Sequence, residues 1–220
     1  MLPFTRAEFF EVFAAYNTAI WPAQLVAYAI AIAALAVVFF RPGRGADLVM
    51  SGALALMWLW TGIGYQVLSF APINPAAYLF GAAFVAEALL LVYCGWSQRL
   101  AFRPVRGWRT ALGLVLIAYA SAFYPLLGIA LGETWPALPM FGVTPCPLTI
   151  FTFGAVLLAR RPFPWAVLLI PLIWSAIGGS AAFLLGVPPD WALLGSGVLV
   201  LVIALTRGVA APAEAGLRGG

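Results

Sequence analysis

Seven runs of apolar residues, each close to the length that crosses a bilayer, constrain this chain more than anything else in it. They lie at roughly 19–40, 48–70, 76–96, 110–132, 143–159, 164–186 and 190–206. A spanning helix needs about 20 residues, within a range of about 17–25. Runs five and seven are at the short end and call for tilt or local thinning of the bilayer. Backbone N–H and C=O groups inside lipid must pair within the structure, so helices are the default. A membrane barrel would show alternating segments of about ten residues, and these runs are continuous. Only 8% of the chain is charged and 65% is hydrophobic, where a soluble domain carries about a quarter charged residues. The predicted fold is all-α, a seven-transmembrane-helix bundle over residues 19–206 in contact with the lipid bilayer.

The arginines orient that bundle. Loops after runs one, three, five and seven hold Arg41, Arg44, Arg99, Arg103, Arg106, Arg109, Arg160, Arg161, Arg207 and Arg218, while the opposite side holds Arg6. The positive-inside rule then predicts the N-terminus outside and the C-terminus in the cytoplasm. The same placement accounts for the net charge of +4 and removes nucleic acid as a partner. Residues 1–18 carry Glu8 and Glu11 where a signal peptide would be apolar. Thr5 and Glu8 are spaced as a capping box, and Phe9, Phe10, Phe13 and Tyr16 form a stripe, which predicts a short amphipathic helix on the outer surface. The tail, 207–220, is small and polar and is expected to be disordered.

Trp60-Thr61-Gly62-Ile63-Gly64 returns as Trp174-Ser175-Ala176-Ile177-Gly178, and the same offset pairs Pro75 with Pro189, Leu79 with Leu193 and Gly81 with Gly195. Arg41-Pro42 likewise echoes Arg161-Pro162. This pattern predicts an internal duplication: repeat A over 19–96, a linker helix at 110–132, and repeat B over 143–206. The repeats would be parallel, related by an axis along the membrane normal.

The chain has no histidine and no lysine. Schiff-base cofactors, histidine-ligated haem or zinc, and nucleophiles paired with histidine are therefore excluded, and no cofactor or metal is expected. Glu87 is the one ionisable group well inside a run, where a charge costs roughly 2.5–3.5 kcal/mol. It reads as a proton or cation coupling site, or as a neutral acid hydrogen-bonded to Tyr119, Ser121, Thr61 or Ser175. Amides and phenols gather at the outer ends: Asn17, Trp21, Gln24, Tyr65, Gln66, Asn74, Tyr78 and Tyr124, with Thr144, Cys146, Thr149 and Ser180 at the same level. They suit a cavity without fixed charge for a small neutral or zwitterionic solute, while an interfacial aromatic belt with helix capping explains them as well. Pro145-Cys146-Pro147 reads as a proline-framed helix start. The small residues around Gly62, Gly64, Gly178 and Gly179 read as close helix packing or as a hinge.

Several stretches together cover nearly the whole chain: Phe4-Thr5 through Phe9-Phe10, Trp21-Pro22-Ala23-Gln24, Phe70-Ala71-Pro72-Ile73-Asn74-Pro75, Pro145-Cys146-Pro147 and Ile177-Gly178-Gly179-Ser180. They resemble a family of bacterial multi-pass membrane proteins of unknown function, a resemblance that implies a location in the inner (cytoplasmic) membrane and brings no activity. The three-plus-one-plus-three layout is similar to sugar transporters and to lysosomal transporters with Pro-Gln loops, although this chain has Pro22-Ala23-Gln24 in place of an adjacent pair.

The leading functional expectation is a small-solute or proton-coupled carrier with its cavity between the halves. The alternative is a non-catalytic scaffold or sensor subunit that binds a partner protein through its outer helix. An intramembrane enzyme ranks last, because Asp47 and Asp190 fall on opposite sides of the bilayer and cannot form a dyad.

Overall fold

A backbone immersed in hydrocarbon satisfies its polar groups locally, and the chain does so with helices almost throughout. The computed structural model describes residues 3–160 and 164–206. The Arg161-Pro162 echo, Arg207, Arg218 and the 207–220 tail lie outside the described residues. Within them run α1 (Arg6–Ala19), α2 (Ala23–Phe40), α3 (Arg44–Trp60), α4 (Ala77–Trp96), α5 (Trp108–Ala118), α6 (Tyr124–Ala130), α7 (Pro145–Leu158), α8 (Ala166–Leu185) and α9 (Trp191–Thr206). α3 continues through a π-helical stretch at Thr61–Phe70, α5 passes into α6 through a shorter one at Tyr119–Phe123, and a 3-10 turn at Pro188–Asp190 leads into α9.

Six of these continuous stretches are long and apolar enough to cross a membrane: Ala23–Phe40, Arg44–Phe70, Ala77–Trp96, Trp108–Ala130, Ala166–Leu185 and Pro188–Thr206. The chain is thus a multi-pass membrane protein.

The fifth apolar run departs from the sequence expectation. Its helix, α7, has 14 residues and rises about 21 Å, against about 30 Å of hydrocarbon. All fourteen residues are buried, with α3, α5, α8 and α9 packed around them. A helix apolar on every side belongs in an interior, and here the interior is protein. The expectation of seven full spans becomes six helices of spanning length around a shorter central one.

Two glycines let the central helix seat. A Cβ added at Gly154 of α7 would stand 2.7 Å from the carbonyl oxygen of Gly113 on α5, and one added at Gly113 would stand 2.8 Å from the Gly154 carbonyl. Close backbone approach of this kind supplies the van der Waals contact that holds helices together in lipid. The two helix triplets differ in their neighbours. In the first, α3 lies between α2 and α4, whereas α7, α8 and α9 all touch one another.

One end of the bundle collects the arginine loops. The Asp47 carboxylate accepts from the Phe102 N–H at 2.8 Å and from both terminal nitrogens of Arg103 at 2.6 and 2.9 Å. This pairing holds the Arg103 guanidinium above its ordinary pKa. Arg103 N–H donates to the Leu158 carbonyl and Arg160 N–H to that of Ala101, which ties the 97–107 loop to the end of α7.

The far end, called distal below, is covered by α1. Thr5 caps it as predicted: the Glu8 carboxylate accepts from the Thr5 N–H at 2.7 Å and from its hydroxyl at 2.8 Å. The Glu8 N–H donates back to Thr5 at 3.3 Å, and these bonds hold the Glu8 carboxyl below its ordinary pKa. The apolar stripe of α1 turns onto the bundle. Phe13 stacks on Tyr65 with ring centres 5.2 Å apart, and Phe4 meets Phe70 at 5.1 Å.

Candidate functional site

Beneath α1 lies a cavity of about 210 Å³. Its walls come from six places in the chain. α1 and the stretch before it contribute Phe4, Phe9 and Phe13; the π-helical stretch contributes Tyr65 and Phe70; Asn74 and Phe80 flank the start of α4. Pro145 and Cys146 open α7, the distal half of α8 supplies Trp174, Ile177, Ser180 and Leu184, and Asp190 closes the circuit from the turn before α9. The π-helical stretch explains part of this assembly. An extra residue per turn, seen in the bond from Ala71 N–H to the Gln66 carbonyl at 2.9 Å, re-aims the side chains that follow, a device common at functional sites.

Asp190 is the only acid on these walls and is 3% exposed. The Tyr124 hydroxyl donates to its Oδ1, and the Cys146 thiol lies against it. Tyr119 braces the same turn by donating to the Pro189 carbonyl at 2.9 Å. One further wall residue is buried with its donor unmatched: the Tyr65 hydroxyl has no hydrogen-bond partner, while the Trp174 indole N–H is turned toward the Cys146 thiol. Buried polar groups are nearly always paired, because leaving one unpaired costs about 1–3 kcal/mol. Such a donor at a cavity beside a buried acid makes a site that a polar solute would complete.

The structure sorts the residues predicted from sequence. Tyr65, Asn74 and Ser180 line the cavity, and Tyr124 reaches it through Asp190. Asn17 and Gln24 do not. Both are buried, and the Asn17 amide donates to the Pro136 and Leu138 carbonyls at 2.7 Å each, while Gln24 donates to the Asn17 carbonyl at 3.0 Å. They fasten the 131–144 loop to α1 and α2. Trp21 is exposed against Trp135 at 5.7 Å, and Tyr78 is exposed on α4. Thr149 and Ser175 spend their hydroxyls on their own helices, on the Pro145 and Leu172 carbonyls at 2.8 Å each.

Gln66 and Glu87 are fully buried, and neither finds a partner for either side-chain polar atom. The partners foreseen for Glu87 are otherwise engaged or unpaired: Tyr119 and Ser175 as above, Ser121 on the Ile117 carbonyl at 2.8 Å, and Thr61 with no bond. Glu87 is not among the residues lining the distal cavity. It sits seven residues beyond Phe80, about 10 Å further along α4.

Sequence reasoning missed Asp190, Trp174 and the phenylalanines of α1 as parts of one site, while Cys146 was placed at its level. It also foresaw a lining without fixed charge, which the carboxyl of Asp190 corrects. The signal available was the repeat itself, since it placed Trp174 and Pro189 at the same level as Trp60 and Pro75. Among the described residues, no three His, Cys, Asp or Glu side chains come together as a metal site.

Comparison with known proteins adds one match. The model of a family of unknown function (DUF6064) matches residues 6–215. No curated protein and no solved structure matches the chain.

Proposed function

The chain belongs to the DUF6064 family, and from its geometry we propose that it is a carrier for a small solute, taken up at the distal end of the bundle. The observation that carries this reading is the cavity under α1, where a buried acid and an unpaired buried donor, the Tyr65 hydroxyl, face one space. A cavity with a few convergent polar groups in a mostly apolar wall is the usual form of a small-molecule site. Its position also suits a carrier. Phe80 of α4 and Trp174 of α8 form its sides, at 5.3 Å between ring centres, so it lies where the first helix triplet meets the last.

In this reading the arginine end is cytoplasmic and the distal end faces outward, in the inner membrane of a bacterium, by the positive-inside rule. The triplets act as parallel repeats A and B around the linker helix, and Glu87 is the coupling acid. An unpaired buried carboxyl at mid-membrane depth is the feature that proton relays are built on. A scaffold or sensor subunit that recruits a partner through α1 is less well supported, because Phe4, Phe9 and Phe13 are spent on the cavity wall rather than offered outward.

The test is flux. Proteoliposomes carrying the full chain and a trapped pH dye are challenged with a panel of small amines, amino acids and polyols. A solute-evoked pH change that Glu87→Gln abolishes, with solute binding retained, is the expected result. Flux with an unchanged pH profile in Glu87→Gln removes the coupling role. Absence of flux across the whole panel, with no binding in the cavity, overturns the carrier reading in favour of the scaffold.

A further inference from the structure

We propose that the distal cavity selects an organic cation: an alkyl-substituted ammonium with an apolar body and one hydrogen-bond acceptor. This rests on the reading of the cavity as a solute site and specifies the charge and shape of the solute.

The charge follows from what surrounds the space. Among the described residues, Asp190 is the one carboxylic acid on the wall, and no arginine lies there. Arg6, the arginine at this end, already pairs with Glu133 at 2.6 Å, while Glu8 and Glu11 are exposed on α1. A positive solute therefore meets a complementary field on approach and a buried carboxylate on arrival, where an anion would meet repulsion at both. The Tyr124 hydroxyl and the Cys146 thiol both face Asp190 as donors. They keep its carboxylate in the role of acceptor.

The body of the solute follows from the walls. Phe13, Tyr65, Phe70, Phe80 and Trp174 present rings to the space. Aromatic faces around an ammonium attract it through the ring quadrupole, and do so best when water is excluded. The acceptor follows from the donors. A hydrocarbon would leave the Tyr65 O–H unmet, and one ester, ether or carbonyl oxygen on the solute gives it a partner. The route in also favours an amphiphile. Ser180 and Leu184 line the cavity and are exposed on the flank of α8, so the opening runs toward the membrane-facing side of the bundle.

The experiment is calorimetric titration of the full chain in detergent micelles with two probes of one shape. One is acetylcholine; the other is its neutral isostere, in which a quaternary carbon replaces the ammonium nitrogen. The expected result is binding of acetylcholine at least about tenfold tighter than the isostere, with that margin lost in Asp190→Asn. Trp174→Leu, which keeps the carboxylate and removes a ring face, should also narrow the margin, so the proposal survives a folding failure of one variant. Equal binding of the two probes overturns the cation selectivity and leaves the cavity a site for neutral solutes. Binding of neither probe overturns the selectivity too, and combined with absent flux it removes the solute-site reading beneath it. A margin that persists in both folded variants places the cation elsewhere and overturns the assignment to this cavity.

Discussion

The bundle buries one aspartate at each end, and the two are treated in opposite ways. Asp47, at the arginine end, is fully buried and receives three hydrogen bonds, two of them from the fork of Arg103. Asp190, at the distal end, takes the Tyr124 hydroxyl and the Cys146 thiol and otherwise faces a cavity. A carboxylate met by a guanidinium fork and a backbone N–H is saturated and becomes a fastener. A carboxylate left beside empty space and an unpaired donor is available to something that arrives. The lesson is that burial alone does not mark function; what matters is whether the neighbours already satisfy the group.

The largest test of that contrast is stability. Arg103→Ala leaves the Asp47 carboxylate with a single N–H donor; the Arg103 side chain is 34% exposed, so water partly takes its place and the loss should be about 2–3 kcal/mol. Asp190→Asn keeps an oxygen for Tyr124 and should cost less than about 1 kcal/mol. Unfolding by denaturant in detergent measures both, and losses of equal size would erase the distinction between the two ends.

A smaller effect addresses the two halves. Gly81 and Gly195 correspond in the proposed repeat, yet a Cβ at Gly81 would stand 2.6 Å from Val67 Cγ2, and one at Gly195 meets nothing within 4 Å. Gly81→Ala should cost about 1–3 kcal/mol through overpacking, whereas Gly195→Ala should gain up to about 1 kcal/mol from the lower entropy of the unfolded chain. Thermal unfolding of the two variants reads the difference. The same response at both sites would mean that the halves share a tighter common packing than their different neighbours suggest.

The smallest effect concerns the lid. Thr5→Ala removes the cap of α1 and should raise hydrogen exchange in its first turn a few-fold, with α3 and α4 unchanged. The Glu8 carboxyl is held below its ordinary value by its bonds to Thr5. Its contribution is therefore present above the unfolded value of about 4.3 and is lost as the pH falls through the lower folded value. Exchange in α1 should rise across that acid window in the native chain and show no such step in Thr5→Ala.

Much of this was written in the sequence, and the reasons for the rest are physical. Apolar run length fixed the helices, and the capping box at Thr5 and Glu8 appeared where it was read. The burial of α7 was not legible, because a residue such as Leu148 or Phe151 is equally at home against lipid or protein. Asn17 and Gln24 read as cavity ligands, but the Asn17 amide donates to a loop more than a hundred residues away whose path no local pattern dictates, and Gln24 donates to Asn17. Asp190 reads only as an acid on the opposite side of the bilayer from Asp47. Tyr124, which makes it part of a site, comes from 66 residues earlier in the chain, and only the packing of α6 against the turn before α9 brings them together.

The shortness of α7 has a consequence for biogenesis. A segment that rises about 21 Å cannot match the hydrocarbon thickness alone, and its threonines at 144, 149 and 152 make it a poor guest for bare lipid. Its surroundings, however, include α8 and α9, which the ribosome delivers afterwards. The nascent chain must therefore hold α7 against α3 and α5 until the last two helices arrive to enclose it. Chains arrested before α8 should be targets for membrane quality control, while the finished protein shields that segment completely.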